Sequence, residues 1–316
     1  MGVLKAIIKP EGGFLFHESL IRYQHSDEEL VNRYDGEVFR RVIETGGAEG
    51  KVGGGLALIE AREVGEGGEV EMTLCTLGRI TKKTATAGEA ALRHLFALDL
   101  DLEPFYAMAR RDSVLAPIVN EFRGLRPVRY LTLLEGLVTA ITTQQVNLTF
   151  GGRTRARMVK RWGEKLTLGG KVHYAFPHPE RLARARLATL RGMQFSGRKA
   201  EYVICVAQAA AEGGLEGDDY RSLPLEEAVE RLTRLRGVGR WTAEQALYRS
   251  LGRIEALAAG DLGVQKVVAR YCFDLERVDE TRAREATKHW APWGALASAY
   301  LFAAWRAGIP SGAKGR

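Results

Sequence analysis

The sequence predicts an α+β protein in which an antiparallel β-rich part precedes an all-α body. Three observations predict this class: short apolar stretches before residue 77, helical periodicity after residue 86, and a helix–glycine hairpin–helix pattern near residue 237. Apolar residues at every second position indicate strands, and apolar residues three and four apart indicate helices. We therefore expect one sheet near the N-terminus and few strands elsewhere.

Strand patterns are confined to the first part of the chain. They cover residues 3–8, 14–23, 38–43, 56–64 and 69–76. Glycine-rich turns separate several of them, as is typical of antiparallel sheets. No catalytic constellation is found there, so we predict a sheet without a reactive group of its own.

The helical body is predicted from apolar residues at helical spacing. The segments are residues 87–98, 102–110, 113–122, 131–145, 150–162, 179–190, Gly197–Ala211, 225–235, 241–251, 264–271, 282–290 and 295–305. Ser196 stands directly before one of these helices, where serine is a favoured N-cap. The basic run within residues 153–161 is interpreted as a solvated helix face.

Residues 235–243, Leu-Arg-Gly-Val-Gly-Arg-Trp-Thr-Ala, join two predicted helices. Gly237 and Gly239 permit a tight reversal, because glycine tolerates positive φ. Free backbone N–H groups at such a turn form an anion site that fits a DNA phosphate, and Arg236 and Arg240 add positive charge. A corner that serves only helix packing is an equally good interpretation. A dinucleotide fingerprint is disfavoured, because the preceding segment is helical and Thr242 occupies the third glycine position.

The chain has 316 residues, enough for two or three domains, and a formal net charge of +7. A moderately basic protein suits a polyanionic partner without proving one. No apolar run approaches the ~20 residues of a membrane span, and the N-terminus has no signal core. We therefore expect an intracellular protein with no membrane contact. Cys75, Cys205 and Cys272 lack zinc or iron–sulfur spacing and are predicted to be reduced, mostly buried thiols.

Several positions have both a structural and a functional interpretation. Asp261 lies at a predicted helix start, and the roles of N-cap and catalytic carboxylate are compatible there, because the helix dipole favours the ionised form. Gln144 and Gln145 end a largely apolar helix, and their amides need hydrogen-bond partners. Water can supply these partners at a helix end, or the two amides can lie on a surface that faces a ligand or a gap in the DNA. Trp293, the last residue of Trp-Ala-Pro-Trp, fits a core better than a binding surface.

In combination, these motifs resemble the helix-hairpin-helix DNA glycosylase superfamily, and most closely its DNA-3-methyladenine glycosylase II branch of alkylation repair. The resemblance rests on the hairpin 235–243, on Asp261 beyond it, and on Trp-Ala-Pro-Trp at 290–293. Residues 141–147 are similar to that family's helix end carrying a glutamine. Residues 176–199 are similar to its Phe-Pro-x-Pro-x-x-Leu segment and the following turn. The resemblance covers almost the whole chain.

The resemblance implies a two-lobed helical glycosylase body behind the β-rich domain. The domains would be residues 1–86 for the β-rich part, 87–122 with 253–316 for the lobe carrying the catalytic aspartate, and 123–252 for the lobe with the hairpin. The partner would be double-stranded DNA containing a damaged base. The protein would act as a monomer and, in a prokaryote, in the cytoplasm with the nucleoid.

The resemblance also implies roles for individual residues. Asp261 matches the catalytic aspartate. The base pocket would be lined by Trp241, Gln245, Leu262 and Trp293. Gln245 and Leu262 stand where the closest branch has aromatic residues, which leaves the lesion spectrum open. The DNA contacts would be Gly237, Val238, Gly239, Arg236, Arg240, Gln144 and Gln145, with Leu125 or Arg126 as a wedge in the duplex. A structural monovalent cation would bind the backbone of Arg236 and Val238, and no other cofactor is required.

The expected chemistry is that of a monofunctional glycosylase. The target base leaves the stack, and Asp261 stabilises positive charge on the sugar while it orients or deprotonates water. A cationic purine such as 3-methyladenine needs little acid assistance. Bifunctional relatives carry a lysine where Trp241 stands, and no lysine lies between Arg240 and Gly260, so no Schiff base is expected. The alternatives are a glycosylase for hypoxanthine or 8-oxoguanine, or a non-catalytic helix-hairpin-helix DNA-binding protein.

Overall fold

A five-stranded antiparallel sheet opens the computed structural model, which describes residues 1–24, 29–45, 55–65 and 67–311. Its strands are β1 (Gly2–Ile8), β2 (Arg33–Tyr34), β3 (Phe39–Glu44), β4 (Leu56–Val64) and β5 (Glu69–Thr76), in the order β1-β5-β4-β3-β2. The register places Gly2 of β1 and Ala57 of β4 opposite Thr76 of β5. Alternate residues of β5 are buried, which is the period of two that predicted a strand. β4 and β5 have the predicted bounds.

The segment 14–23 forms helix α1 (Phe16–Gln24), so its prediction as a strand was wrong. The buried residues Phe16, Ser19, Leu20 and Tyr23 recur three and four apart, which is the spacing of one helix face. The alternation of Phe14 and Phe16 imitated a strand. Helix α1 and helix α2 (Lys82–Leu95) share a hydrophobic core with the sheet.

Helices make up most of the remaining described chain, as predicted. They are α3 (Glu103–Ala109), α4 (Leu115–Glu121), α5 (Leu133–Thr143), α6 (Leu148–Trp162), α7 (Pro179–Ala183), α8 (Leu187–Gly192), α9 (Gly197–Ala211), α10 (Gly217–Ser222), α11 (Leu225–Thr233), α12 (Arg240–Ala246), α13 (Leu262–Val268), α14 (Glu280–Thr287) and α15 (Gly294–Arg306). π-Helical turns, Leu247–Leu251 and Ala269–Phe273, extend α12 and α13, and Lys288–Trp290 is a 3₁₀ turn. Helix α9 has the predicted bounds, and the Lys199 N–H donates to the Ser196 hydroxyl at 3.2 Å.

A second antiparallel pair, β6 (Lys165–Leu168) and β7 (Lys171–Tyr174), interrupts the helical body. The sequence predicted no strand there. Gly169 and Gly170 form the turn with φ of 54° and 73°, a conformation that glycine adopts readily. Leu166 packs with Val42 and Leu58, so the short hairpin is joined to the larger sheet through a small apolar core.

The hydrophobic core of the described residues has three large parts. One lies around α5, α9 and α12, a second around α3, α4, α13 and α15, and a third between the sheet, α1 and α2. Leu92, Leu95 and Phe96 belong to the sheet's core, although residues 87–98 were assigned to a helical lobe. The proposed domain boundaries stay predictions, and residues 312–316 of the last segment lie outside the described residues.

Buried charges anchor α5 to the sheet. The Arg41 guanidinium of β3 donates to both Glu135 oxygens at 2.7 and 2.8 Å, and each side chain is 3% exposed. Arg155 of α6 pairs with Glu29, which is also buried, at 2.5 Å. Helix α5 is therefore held near its N-terminus, and its other end reaches the glycine hairpin.

No helix in the described part of the chain is long and apolar enough to cross a membrane. The three cysteines are free thiols, and each is partly buried rather than mostly buried as predicted. Burial raises the pKa of the Cys272 thiol to about 12, which makes that side chain a poor nucleophile.

Candidate active site and DNA interface

The glycine hairpin connects α11 to α12 and packs against α9. Gly237 has φ +88°, and a Cβ atom on it would collide with the Tyr202 ring, so backbone and packing both require glycine. Gly239 has φ −88° and precedes α12 in an extended conformation. Of the two glycines that were predicted to permit the reversal, Gly237 has a positive φ and Gly239 does not. Val238, between them, is buried.

Gln144, at the C-terminal end of α5, holds this hairpin from inside. Its amide nitrogen donates to the Gly237 carbonyl at 3.1 Å and to the Thr242 hydroxyl at 2.9 Å. The Nε2 donors of Gln144 thus satisfy groups of the protein, and its predicted contact with DNA stays a prediction. Its neighbour Gln145 is exposed and has φ +53°, so this second amide lies at the surface beside the hairpin.

Asp261 starts α13 and meets four neutral N–H donors. Its Oδ1 accepts from the backbone N–H groups of Gly263 at 2.8 Å and Val264 at 3.3 Å, so the predicted N-cap is present. Its Oδ2 accepts from the Trp241 indole at 2.9 Å and, at the longer distance of 3.5 Å, from the Gln245 amide. The carboxylate is therefore fixed in orientation by donors on both oxygens.

The four residues predicted for the base pocket have different surroundings. Trp241 and Gln245 lie one turn apart on α12 and both hold the aspartate. Leu262, directly after the aspartate, is 68% exposed. Trp293 is half-buried, and its ring centre lies 5.8 Å from that of Phe105 in the core around α3 and α15. Trp241 and Gln245 are thus the two whose contacts with the aspartate are direct.

Phe302 of α15 is a neighbour of the aspartate that the sequence did not reveal. A Cβ atom on Gly263 would lie 3.0 Å from the Phe302 ring and 3.0 Å from Asp261 Oδ1. Glycine at this position therefore lets an aromatic ring approach the start of α13. Phe302 was not singled out because an apolar residue on an apolar helix has the same pattern as a core residue.

The wedge predicted at Leu125 or Arg126 is contradicted by burial. Leu125 is 4% exposed and Arg126 is 2% exposed. The Arg126 guanidinium donates to the carbonyls of Gly13 at 3.0 Å, Ala97 at 2.6 Å and Leu100 at 2.8 Å. Burial lowers the pKa of this guanidinium. An arginine in a loop is expected at the surface from the sequence alone, but here its donors satisfy these three carbonyls and a fourth, that of Glu11, inside the protein.

The two arginines of the hairpin differ in availability. Arg236 forms an ion pair with Glu201 at 2.7 Å and is 70% exposed, so its charge remains at the surface. Arg240 pairs with Glu226 at 2.6 Å and with the buried Glu244 at 2.9 Å. The Arg240 guanidinium therefore links α11 to α12, and its side chain is still 42% exposed, so its predicted contact with DNA stays a prediction.

Metal binding at the site stays a prediction. In residues that the structure describes, no three His, Cys, Asp or Glu side chains are grouped to hold a metal ion. Backbone carbonyls, the donors expected at Arg236 and Val238, are suitable for a monovalent cation. Gln144 already fixes the carbonyl between them, that of Gly237.

Comparison with known proteins places the chain in a family. A family profile described as HhH-GPD superfamily base excision DNA repair protein matches residues 138–292. A DNA-3-methyladenine glycosylase of Bacillus subtilis (strain 168) is 31% identical over 207 residues, covering 66% of this chain and 68% of that protein. The solved 3-methyladenine DNA glycosylase from Archaeoglobus fulgidus has a TM-score of 0.79 at 25% identity, over 95% of this chain and 98% of that one.

A Schizosaccharomyces pombe 3-methyladenine DNA glycosylase, solved in complex with abasic DNA, shares the fold, with a TM-score of 0.55 at 24% identity over 65% of this chain and 97% of that one. The chain belongs to the HhH-GPD superfamily of base excision DNA repair proteins. Within that superfamily it is similar to DNA-3-methyladenine glycosylases. The α+β fold class and the family resemblance predicted from sequence are confirmed.

Proposed function

We propose that this protein is a monofunctional DNA glycosylase that flips an alkylated purine out of double-stranded DNA and hydrolyses its N-glycosidic bond with Asp261. The observation that carries the proposal is the Asp261 carboxylate, held by backbone N–H groups and the Trp241 indole beside the glycine hairpin. Membership of the superfamily supports base excision repair. Similarity to 3-methyladenine DNA glycosylases supports a lesion of the 3-methyladenine type.

The aspartate acts on the sugar in this mechanism. An alkylated purine such as 3-methyladenine is cationic, so it leaves with the electron pair of the C1′–N bond and needs little protonation. Positive charge develops on the sugar, where the ionised Asp261 stabilises it. Water then forms the new C1′–O bond and gives its proton to the carboxylate. The products are the free base and an abasic site.

The hairpin supplies contacts to the DNA backbone that do not depend on base sequence. Its turn and the start of α12 present backbone N–H groups, which suit a phosphate. Gln144 and Tyr202 fix the turn from inside. Arg236 adds an exposed positive charge beside it. Such contacts suit a repair enzyme, which meets lesions in every sequence context.

Gln145 is the residue proposed to face the gap that the flipped base leaves. It follows Gln144, which contacts the hairpin, and it is exposed. Leu125 and Arg126, the other candidates, are buried. Filling the gap offsets part of the stacking energy that is lost when a base is flipped.

Hydrolysis without a covalent intermediate is proposed from the residues of α12. Trp241 stands where bifunctional relatives carry a lysine nucleophile, and its indole donates to the aspartate. No lysine lies between Arg240 and Gly260. A Schiff base with the sugar needs an amine, so this enzyme should leave the abasic strand uncut.

Another damaged purine is the alternative substrate, and two residues favour it. Gln245 places an amide beside the aspartate, and Leu262 is an exposed aliphatic residue. Both stand where the 3-methyladenine branch has aromatic rings, and fewer rings stack a cationic base less strongly. A hydrogen-bonding base such as hypoxanthine suits an amide better.

We also propose that the protein acts as a monomer, inside the cell where its DNA substrate lies.

The test is base release from duplexes that carry 3-methyladenine, hypoxanthine or 8-oxoguanine, with borohydride present in a parallel set. We expect release of free 3-methyladenine and no trapped protein–DNA adduct. Release of hypoxanthine or 8-oxoguanine instead would establish the alternative substrate. A trapped adduct would contradict hydrolysis. Tight binding with no release from any duplex would mean a non-catalytic DNA-binding protein.

A further inference from the structure

A chain of alternating charges runs beside the site. It links Glu226 of α11, Arg240 and Glu244 of α12, and Arg284 and Glu280 of α14. Arg240 binds both oxygens of Glu226 at 2.6 and 2.8 Å and reaches Glu244 at 2.9 Å. Arg284 reaches the two Glu244 oxygens at 2.8 and 3.0 Å and Glu280 at 2.8 Å. The network therefore joins the hairpin helices to α14, which is distant in sequence.

Glu244 is the buried centre of this network. Its side chain is 1% exposed. Burial raises the pKa of its carboxyl, and the guanidinium groups of Arg284 and Arg240 act in the opposite direction. A buried carboxylate is tolerated only where charged donors replace the lost water. Glu244 thus fixes α12 at a set distance from Arg284.

The same network reaches the turn that ends at Asp261. Arg284 also donates to the Leu257 carbonyl at 3.3 Å. The Glu280 carboxylate lies 3.1 Å from where a Cβ atom on Gly260 would stand. The turn is therefore held by α14 on one side and, through the indole bond to the aspartate, by α12 on the other.

We propose that Glu244 and Arg284 are positioning residues for Asp261, which they serve by fixing α12 against the turn 257–261. This arrangement keeps the Trp241 indole on Asp261 Oδ2. The inference rests on the proposed function, since that function gives Asp261 its chemical role. Catalytic rates depend steeply on such placement, because an error of ~1 Å costs about 10²-fold.

The test replaces Glu244 by glutamine, which keeps the shape and removes the charge. Base release is measured under single-turnover conditions, together with the Kd for duplex DNA. The indole ¹⁵N–¹H resonance of Trp241, assigned with Trp241→Phe, is recorded in the protein without DNA. We expect the rate to fall about 10- to 100-fold, the Kd to stay within about twofold, and the indole resonance to move.

Glu230→Gln is the matched control, because Glu230 pairs with Arg234 in an exposed ion pair on α11 and such pairs contribute little. It should change neither the rate nor the indole resonance. Arg284→Lys is the second variant and decides the matter if Glu244→Gln does not fold. One ammonium cannot hold both carboxylate oxygens and the Leu257 carbonyl together, so we expect the same pattern with a smaller loss.

A wild-type rate with an unmoved indole resonance in a folded variant would overturn the inference. Equal losses in rate and DNA affinity would overturn it too, because they would mean a general loss of structure. Absence of base release by the wild-type enzyme would refute the proposed function instead. The indole resonance, which needs no DNA, would still show whether Glu244 positions the Trp241–Asp261 pair.

Discussion

Asp261 and Glu244 are carboxylates of the same region that are held in different ways. Asp261 accepts hydrogen bonds from two backbone N–H groups, from the Trp241 indole and from an amide. It makes no ion pair with any residue that the structure describes. Glu244 is buried between the guanidinium groups of Arg240 and Arg284. The first carboxylate is oriented by neutral groups, and the second is neutralised by charged ones.

We propose that the difference separates a charge available for chemistry, that of Asp261, from a charge that stabilises the structure, that of Glu244. Arginine partners compensate a carboxylate's charge, whereas neutral dipoles orient it and leave the charge for a cation that develops nearby. Glu135, paired with Arg41 between α5 and the sheet, is a second carboxylate of the structural kind. A change at the hydrogen bonds of Asp261 should therefore lower the rate of base release. A change that breaks the Arg41–Glu135 pair should lower the free energy of unfolding.

The largest expected effect on stability comes from breaking the Arg41–Glu135 pair. Arg41→Met leaves the buried Glu135 carboxylate without its guanidinium, so the free energy of unfolding should fall by about 3–5 kcal/mol. Chemical denaturation measures this value. Adding Glu135→Leu should recover much of the loss, because no unpaired charge then remains buried.

Arg62→Met is the matched control on the neighbouring strand. Arg62 is 52% exposed and pairs with Glu71 at the sheet surface, so its loss should cost less than about 1 kcal/mol. An equally small cost for Arg41→Met would contradict this prediction, since the buried pair would then contribute no more to the free energy of unfolding than a surface pair.

A smaller effect, on chemistry alone, is expected from Trp241→Phe. This change keeps an aromatic ring and removes the N–H group that binds Asp261 Oδ2. Hydrogen bonds to charged groups contribute about 1.5–3 kcal/mol, so the single-turnover rate of base release should fall about tenfold or more. Trp305→Phe, at a ring that lies against Lys266 on the surface, should leave the rate unchanged. A wild-type rate for Trp241→Phe would show that the hydrogen bond from this neutral donor to Asp261 does not contribute to base release.

Features with a local cause were predictable from the sequence. The strands β4 and β5, the cap of α9 at Ser196 and the N-cap role of Asp261 each depend on residues within a few positions of one another. The glycine hairpin was predictable for the same reason, although only Gly237 uses positive φ. Together with the resemblance, these local signals identified Asp261 as the candidate catalytic residue and predicted the superfamily.

Features that depend on distant residues were missed or misplaced. The bond from Gln144 to the hairpin carbonyl and the Glu244–Arg284 pair join residues far apart in the chain. The sequence places Arg126 at the surface, because the carbonyls that accept its hydrogen bonds belong to residues distant in the chain. Strands β6 and β7 are only four residues each, too short for a clear alternating pattern. Burial and partners are tertiary properties, and a single sequence carries little information about them.

The most direct test of this account is single-turnover release of 3-methyladenine by Asp261→Asn, with the duplex Kd measured alongside. Asparagine is also a favoured N-cap, so α13 should stay intact while the charge is lost. Asp279→Asn, at the capping aspartate of α14, is the control and should release base at the wild-type rate. We predict a rate loss of at least about 10²–10³-fold for Asp261→Asn with unchanged Kd. Release near the wild-type rate, or a parallel loss of DNA binding, would contradict the role of Asp261 as the charge that acts on the sugar.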